Sequence, residues 1–459
     1  MSDFDLLSIG SGPAGQRAAV QAAKLGKRAA VVERRRCLGG VCIDTGTIPS
    51  KTFREAVIAV AGSSLDRRRG ERPRPTAAQL LERVAEVVSR ESEIVDDQLR
   101  RNDVELLRGE ASFVDPHTIF VQSGDACRAV TADNILIAVG TEPTPPPGVA
   151  PDGETVITSD GVIGLTRLPR SMAVVGGGVV GVEYASMFAA LGIEVTLVER
   201  RERPLEFLDL EIVDELIHQM RNRNVTFRLG EAVERLELSA GPPRRAVILL
   251  ESGKRIVSDL VLFSVGRTGA TAKLNLAAAG LSADERGRIK VDENFRTAVP
   301  HIFAAGDVIG YPSLAATSAE QGRLAACHAF GVPVGTMEPH FPIGIYAIPE
   351  ISMVGATEHE LTEKKVPYES GVARYREIAR GQILGDHSGL FKMLFHRETR
   401  SLLGVHVIGT GATELVHIGQ AVLALDGKLD YFLRTVFNYP TLAECYKVAA
   451  LEASNKLAR

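Results

Sequence analysis

Tryptophan is absent from this 459-residue chain, aromatic residues make up 5% of it, and there are only five cysteines. The cysteines, at 37, 42, 127, 327 and 445, are too few and too scattered to form a disulfide framework. Their odd number fits a reducing cytoplasm, and the first ten residues, MSDFDLLSIG, carry acids instead of the basic start of a secretory signal. No group of Cys and His has zinc spacing, so no metal is expected. An excess of one charge is also missing: 53 Lys+Arg against 57 Asp+Glu leave a formal net charge of -4, with no general pull on nucleic acid or an anionic membrane. No long apolar run is left to cross a membrane. The most apolar window, residues 172–192, is broken by Gly176-Gly177-Gly178 and by Glu183, whereas a spanning helix needs about 20 apolar residues.

What is present is an ordinary balance, 45% apolar and 24% charged, with 44 glycines. That composition excludes a disordered or fibrous protein, and at about 150 residues per domain the length predicts three domains. Glycine serves where backbone turns sharply or approaches a ligand, and here it is placed in a pattern.

The chain begins with an apolar run, Phe4 to Ile9, followed at once by Gly10-Ser11-Gly12-Pro13-Ala14-Gly15. A helical stretch at 16–25 comes next, then a second apolar run at 28–32 that stops on Glu33. This is a dinucleotide-binding pattern in context: glycines Gly10, Gly12 and Gly15 let a pyrophosphate reach a helix N-terminus, and the acid holds a ribose hydroxyl. A lone G-x-G-x-x-G is weak, but here the whole arrangement occurs twice. An apolar run at 172–175 leads into a turn containing Gly176, Gly178 and Gly181, then a helix through Leu191, a run at 194–198 and Glu199. First glycine and acid are 23 residues apart in both copies, 10 to 33 and 176 to 199. Two dinucleotides on one chain are predicted. Each unit is followed by a buried-type strand ending in a glycine turn, at Gly140 and at Gly266; later Asp307 closes a short apolar strand and an alanine-rich helix is predicted over 314–330.

With these residues in view the chain resembles the pyridine nucleotide-disulfide oxidoreductase family over nearly its whole length. The likeness rests on the GSGPAG and GGGVVG turns, GTIPSK at 46–51, AAGDVIG at 304–310, IPE at 348–350 and the YPTLAE near the C-terminus. It implies an α/β fold with two Rossmann-like domains, for FAD (1–152 and 271–337) and NAD(P) (153–270), and a C-terminal α+β domain (338–459) that forms a homodimer or higher oligomer. Residue by residue, it implies that Asp307 bonds the flavin ribityl chain. Lys51 and Glu183 would pair beside the flavin ring, and the helix after Leu314 would point its positive N-terminus at the flavin.

Two departures set the chain apart from the family's disulfide reductases. Their redox pair follows two glycines as C-x4-C; here Gly39-Gly40 precede Cys42, but Thr47 stands at the second sulfur position. Cys37, also five residues from Cys42, lies before the glycines and reads as a loop thiol. The reductases' acid-base His before Pro-Thr is replaced by Tyr439, while Glu444 is kept. A phenol with an ordinary pKa near 10 is a poor partner for a thiol. Both departures imply that electrons do not leave through a disulfide.

GTIPSK together with FNYPT resembles the Si-specific, soluble FAD-dependent transhydrogenases, and implies ping-pong hydride transfer between NADPH and NAD+. Glu199 suits NAD(H), while Arg200, Arg201 and Arg203 could pair with the 2′-phosphate of NADP(H) or form a solvated basic turn. The alternatives are an NAD(P)H:quinone or dye reductase on the same scaffold and a slow, redox-sensing flavoprotein. A run at 67–74 holding Arg67, Arg68, Arg69, Arg72 and Arg74 has no accompanying aromatics and reads as a solvated loop, not a nucleic-acid site. His417 is expected to pack in the core or at an interface.

Overall fold

The computed structural model describes residues 2–61, 75–146, 148–241 and 243–458. The arginine run at 67–74 lies outside the described residues.

The first unit starts with β1 (Phe4–Ile9), α1 (Pro13–Lys24) and β2 (Ala29–Glu33). Both strands are buried almost throughout, as parallel strands covered on two faces must be. α1 begins at Pro13, three residues before the expected start. Proline is well suited to the first helical position, where its missing N–H would have no partner and its φ is already helical. Then follow α2 (Gly40–Asp44), α3 (Thr47–Ala61) and α4 (Ala77–Arg100). α4 opens with a capping box in which Gln79 N donates to Thr76 Oγ1 at 3.2 Å and Thr76 N to Gln79 Oε1 at 2.9 Å. β3 (Glu105–Arg108), β4 (Glu110–Asp115), β5 (Thr118–Ser123), β6 (Ala126–Ile137) and β7 (Thr141–Pro143) complete the segment.

Strand β6 is longer than its apolar run suggests. Residues 126–131 pair antiparallel with β5, while the buried half from Ala132 onward runs parallel to β1. Only that second half carries the continuous apolar signal.

After β7 the chain builds a second parallel sheet. Its elements are β8 (Val156–Thr158), β9 (Ser171–Val175), α5 (Val179–Ala190), β10 (Glu194–Glu199), α6 (Leu210–Asn222) and β11 (Val225–Leu229). The three-stranded antiparallel sheet β12 (Val233–Leu238), β13 (Ala246–Leu250) and β14 (Arg255–Ser258) covers it before β15 (Leu260–Phe263) joins the order β11-β10-β9-β15-β8. β16 (Arg267–Gly269) pairs antiparallel with β7, so the chain leaves and re-enters the first unit through one two-stranded ribbon. β17 (Ile302–Ala304) then lies parallel to β6, and α7 (Ala315–Ala329) packs on α1 so closely that a Cβ on Gly322 would stand 2.0 Å from Ala14 O.

The last unit contains β18 (Ile343–Ile345), β19 (Ile351–Gly355), α8 (Glu358–Glu363), β20 (Tyr368–Arg374), α9 (Ala379–Leu384), β21 (Leu390–His396) and β22 (Leu402–Ile408). α10 (Ala412–Ala424), α11 (Leu429–Arg434) and α12 (Glu444–Leu457) follow. Its sheet, β18-β19-β22-β21-β20, is antiparallel throughout and packs on α10 and α12 through Phe391, Phe432 and Tyr446. The α/β expectation is met. Among the described residues no helix is long and apolar enough to cross a membrane.

Candidate active site

The two glycine turns are built alike. Gly10 (φ +106°) and Gly176 (φ +108°) end β1 and β9 in a backbone conformation that disfavours side chains, and a Cβ on either would meet a carbonyl oxygen, Ala138 O or Ser264 O, at 2.5 Å. Gly15 and Gly181 lie one helical turn on, each pressed against the first glycine's carbonyl. Gly12 and Gly178 are different: nothing among the described residues lies within 4 Å of their missing side chains. They stand at the N-caps of α1 and α5, which have no side-chain cap and no acid in their first turns. Open space before an uncapped helix N-terminus is what a pyrophosphate requires.

Both acids are buried and held by backbone. Glu33 accepts from Ser11 N at 2.9 Å, Ser11 Oγ at 2.6 Å and Arg35 N at 2.7 Å. Glu199 accepts from Gly177 N at 2.5 Å and from the backbone and guanidinium of Arg201. Of the three arginines after Glu199, therefore, Arg201 faces the acid. Arg203 pairs with Asp214, and Arg200 is exposed.

The expected Lys51–Glu183 pair is present. Lys51 Nζ on α3 stands 2.9 and 2.8 Å from the two carboxylate oxygens of Glu183 on α5, which is 3% exposed. The last unit secures this junction through residues 346–350. Tyr346 N donates to Glu183 Oε1 at 2.8 Å, and Lys51 Nζ lies 4.9 Å from the centre of the Tyr346 ring. Ile348 N donates to Ser186 Oγ at 2.9 Å, one helical turn beyond Glu183. Arg54, one turn after Lys51, donates to Ala347 O at 2.9 Å and faces Glu350 at 3.5 Å. One short segment thus holds both helices that carry the ion pair. The IPE at 348–350 signalled this segment, but no spacing in the sequence assigns it that role.

A cavity of about 600 Å³ runs from Glu33 past Gly10, Gly12 and Gly140 to Lys51, Glu183 and Asp307. Gly15, Gly176, Gly178, Gly181, Glu199, Arg200 and Gly266 lie outside its lining. Burial pushes the Asp307 carboxyl above its ordinary value, opposed by the Arg267 guanidinium nearby. Arg267, next to Gly266 and carrying no motif signal of its own in the sequence, fixes β7 by donating to Thr141 Oγ1 at 2.8 Å and Thr141 O at 2.9 Å. Leu314, Ala315 and Ala316, at the N-terminus of α7, line the same cavity.

Cys42 also lines it. Gly40 (φ +62°) brings the Cys42 helix against the first turn, where a Cβ would come 2.9 Å from Gly12 Cα. Burial pushes the Cys42 thiol up, and the Thr47 hydroxyl beside it works in the opposite direction. Tyr439 is 69% exposed, and Glu444 Oε2 is buried with no hydrogen-bond partner among the described residues. His417 is not in the core: it is exposed on α10, at the cavity lining, with Nδ1 2.8 Å from Gln420 Oε1.

A second polar centre lies away from the cavity. Asp209, Glu211 and Glu358 bring carboxylate oxygens within 4.8 Å of one another, the one such acidic cluster among the described residues. They converge on the ammonium of buried Lys392, at 2.9, 3.1 and 2.6 Å.

Known proteins share this architecture. The chain is 53% identical over 466 residues to the soluble pyridine nucleotide transhydrogenase of Mycobacterium bovis, covering 100% of this chain and 98% of that protein. It is 44% identical to the soluble pyridine nucleotide transhydrogenase of Photobacterium profundum, over 99% and 98% of the two chains. Among solved structures it is similar to the HOCl-induced flavoprotein disulfide reductase RclA from Escherichia coli (TM-score 0.88, 26% identity, 98% and 99% covered). LpdA from Mycobacterium tuberculosis is similar at TM-score 0.89 and 25% identity, with 97% and 99% covered. Residues 4–322 match the family described as pyridine nucleotide-disulphide oxidoreductase, and residues 341–450 match its dimerisation domain. Two glycine turns on parallel sheets, joined through a Lys–Glu pair and followed by that domain, make this chain a member of the pyridine nucleotide-disulphide oxidoreductase family.

Proposed function

We propose that the protein is a cytoplasmic, homodimeric FAD-dependent transhydrogenase that moves a hydride between NADPH and NAD+ on the Si face. The observation that carries this reading is the pairing of Thr47, not a second cysteine, with Cys42 in the cavity beside Lys51. A hydroxyl cannot close a disulfide with the thiol. The Glu444 carboxylate oxygen that has no partner among the described residues, in the same segment as an exposed Tyr439, supports the loss of an acid-base pair on the same route. The full-length similarity to soluble pyridine nucleotide transhydrogenases supports the same conclusion. Bound FAD supplies a two-electron relay between the two nicotinamides.

The chain's own residues bind and orient. Gly10, Gly12 and Gly15 with the α1 N-terminus receive the FAD pyrophosphate, Glu33 a ribose hydroxyl and Asp307 the ribityl hydroxyls. Gly140 and Gly266 shape the turns after β6 and β15. Gly176, Gly178, Gly181, Glu199 and Arg200 receive the pyridine nucleotide. Lys51 and Glu183 hold a neutral pair at the reacting face, so neither charge stands buried alone. Residues 1–152 with 271–337, 153–270 and 338–459 serve as the FAD, NAD(P) and dimerisation domains; Val436 and Leu425, 93% and 81% exposed in the last, support pairing there.

The test mixes anaerobic purified protein with NADPH and thio-NAD+ and follows thio-NADH. Accumulation is expected, and C42S retains most of it. Flavin reduction without thio-NADH, alongside rapid quinone consumption, would replace this reading with the quinone reductase.

A further inference from the structure

The two glycine turns give an internal comparison. In each, the acid that ends the second strand accepts a backbone N–H from the residue after the first glycine, Ser11 or Gly177. In each it also accepts the backbone N–H of an arginine two residues on: Arg35 N to Glu33 Oε1 at 2.7 Å, Arg201 N to Glu199 Oε1 at 2.9 Å. The frames match to this point and then diverge at the guanidinium. Arg35 turns away and pairs with Asp44 at 2.5 Å, so its guanidinium does not cover Glu33. Arg201 folds back onto its own acid in a parallel fork, Nε to Oε1 at 3.0 Å and Nη2 to Oε2 at 3.1 Å.

The fork has a chemical consequence. A carboxylate offers about four lone-pair sites, and Glu199 meets donors from Gly177 N, Arg201 N, and the Nε and Nη2 of the Arg201 guanidinium. In this arrangement the acid is neutralised and has little capacity left for a ribose diol. An adenosine ribose bearing a 2′-phosphate needs that arrangement, because an uncovered Glu199 would repel the phosphate. A ribose with a free 2′-hydroxyl needs the opposite, an acid open to accept it. Arg201 can serve both. Its guanidinium carries five N–H donors; two of them engage Glu199, and Nη1 lies 3.9 Å from the half-exposed Glu206. Arg200, on the exposed side of the same turn, has no such coupling to the acid.

We propose that Arg201 is a two-position specificity residue of the second nucleotide site, covering Glu199 to admit the 2′-phosphate of NADP(H) and leaving it to admit the ribose diol of NAD(H). This rests on the dual-nucleotide reading above and deepens it: one side chain, acting through the acid, decides which nucleotide the shared pocket accepts. In the covering position the guanidinium keeps its fork on Glu199 and offers its remaining N–H donors to the phosphate, so exchange between the two nucleotides needs only a rotation of one side chain.

The test is calorimetric titration of the oxidised holoenzyme with NADP+ and, separately, NAD+, for the wild type, R201M, R200M and E199Q. Neither ligand can reduce the flavin, so binding is read apart from turnover. R201M is expected to weaken NADP+ at least about tenfold, the loss of a charged contact, while NAD+ binds as tightly or more tightly. R200M is expected to weaken NADP+ without tightening NAD+. E199Q is expected to weaken NAD+ and spare NADP+. If R201M weakens both nucleotides alike, or leaves NADP+ unchanged, the Arg201 assignment is overturned while dual specificity stands. A wild-type protein that binds only one of the two nucleotides overturns dual specificity, and this assignment with it.

Discussion

Lys392 and Asp209 form an ion pair at 2.9 Å with both side chains 1% exposed, although 183 residues separate them in the chain. Asp209 caps the N-terminus of α6 in the second parallel unit, and Lys392 sits on β21 of the last. The pair therefore ties two sheets together through a buried charge. Burial opposes the Asp209 charge, but the imidazole of His406 and the ammonium of Lys392 hold its carboxyl below the ordinary range, while the surrounding acids raise the Lys392 ammonium above its own.

Removing the cation should expose the cost of this arrangement. K392M leaves a buried carboxylate without its partner, and a loss of about 3–5 kcal/mol in unfolding free energy is expected, measured by urea denaturation. K392M/D209N should recover part of the loss. The pH range follows from the directions of the shifts. A depressed acid stabilises above its unfolded value near 4 and loses that contribution as pH falls through its folded value. A raised lysine stabilises below its unfolded value near 10 and loses it as pH rises further. The wild-type advantage over the double variant should hold between these limits and shrink outside them.

Lys51 faces a different demand, because its partner Glu183 stands where two units and residues 346–350 meet. K51M leaves Glu183 with the Tyr346 N–H and without the Lys51 ammonium. Turnover in the NADPH to thio-NAD+ assay should fall about 100-fold, the scale of a misplaced reacting group, with the flavin absorbance of the purified protein unchanged. Loss of flavin instead would make Lys51 a cofactor-retention residue.

For Asp307 the expectation concerns retention of FAD. Its carboxyl is raised by burial, so the cofactor-free protein loses stability as pH rises from the unfolded value through the raised one. Hydroxyl donors favour the ionised form, so FAD should be held less tightly as pH falls through the same range. D307N should release FAD at least about tenfold more readily at pH 7 and lack that pH dependence. Fluorescence of free flavin during dialysis measures both.

The two glycine turns were legible because their physical requirements are local. Gly10 and Gly176 must accept positive φ, Glu33 and Glu199 must end a strand, and both demands leave fixed spacings in the chain. The Lys51–Glu183 pair was legible only through resemblance, since nothing about a lysine at 51 foretells a glutamate 132 residues away. Arg201 and Arg200 could not be told apart by spacing alone. Which guanidinium folds back depends on the path of the loop after β10, pinned where Leu205 N meets Gly177 O at 3.1 Å. The Lys392 centre left no signal at all: its four residues are common charged types, and only the packing of α6, α8 and β21 brings them together.

The β7–β16 ribbon, where Arg267 to Gly269 lie against Thr141 to Pro143, is the doorway through which the chain enters and leaves its second parallel sheet. Entry and exit side by side mean that a whole folding unit can be carried as an insertion without disturbing the strands that flank it. Ancestral gain or loss of this unit would need one cut and one closure, and a gene in which a two-residue turn replaces residues 144–266 would keep the β7–β16 pairing intact. What it would lose is Glu183, leaving Lys51 to face an open hollow.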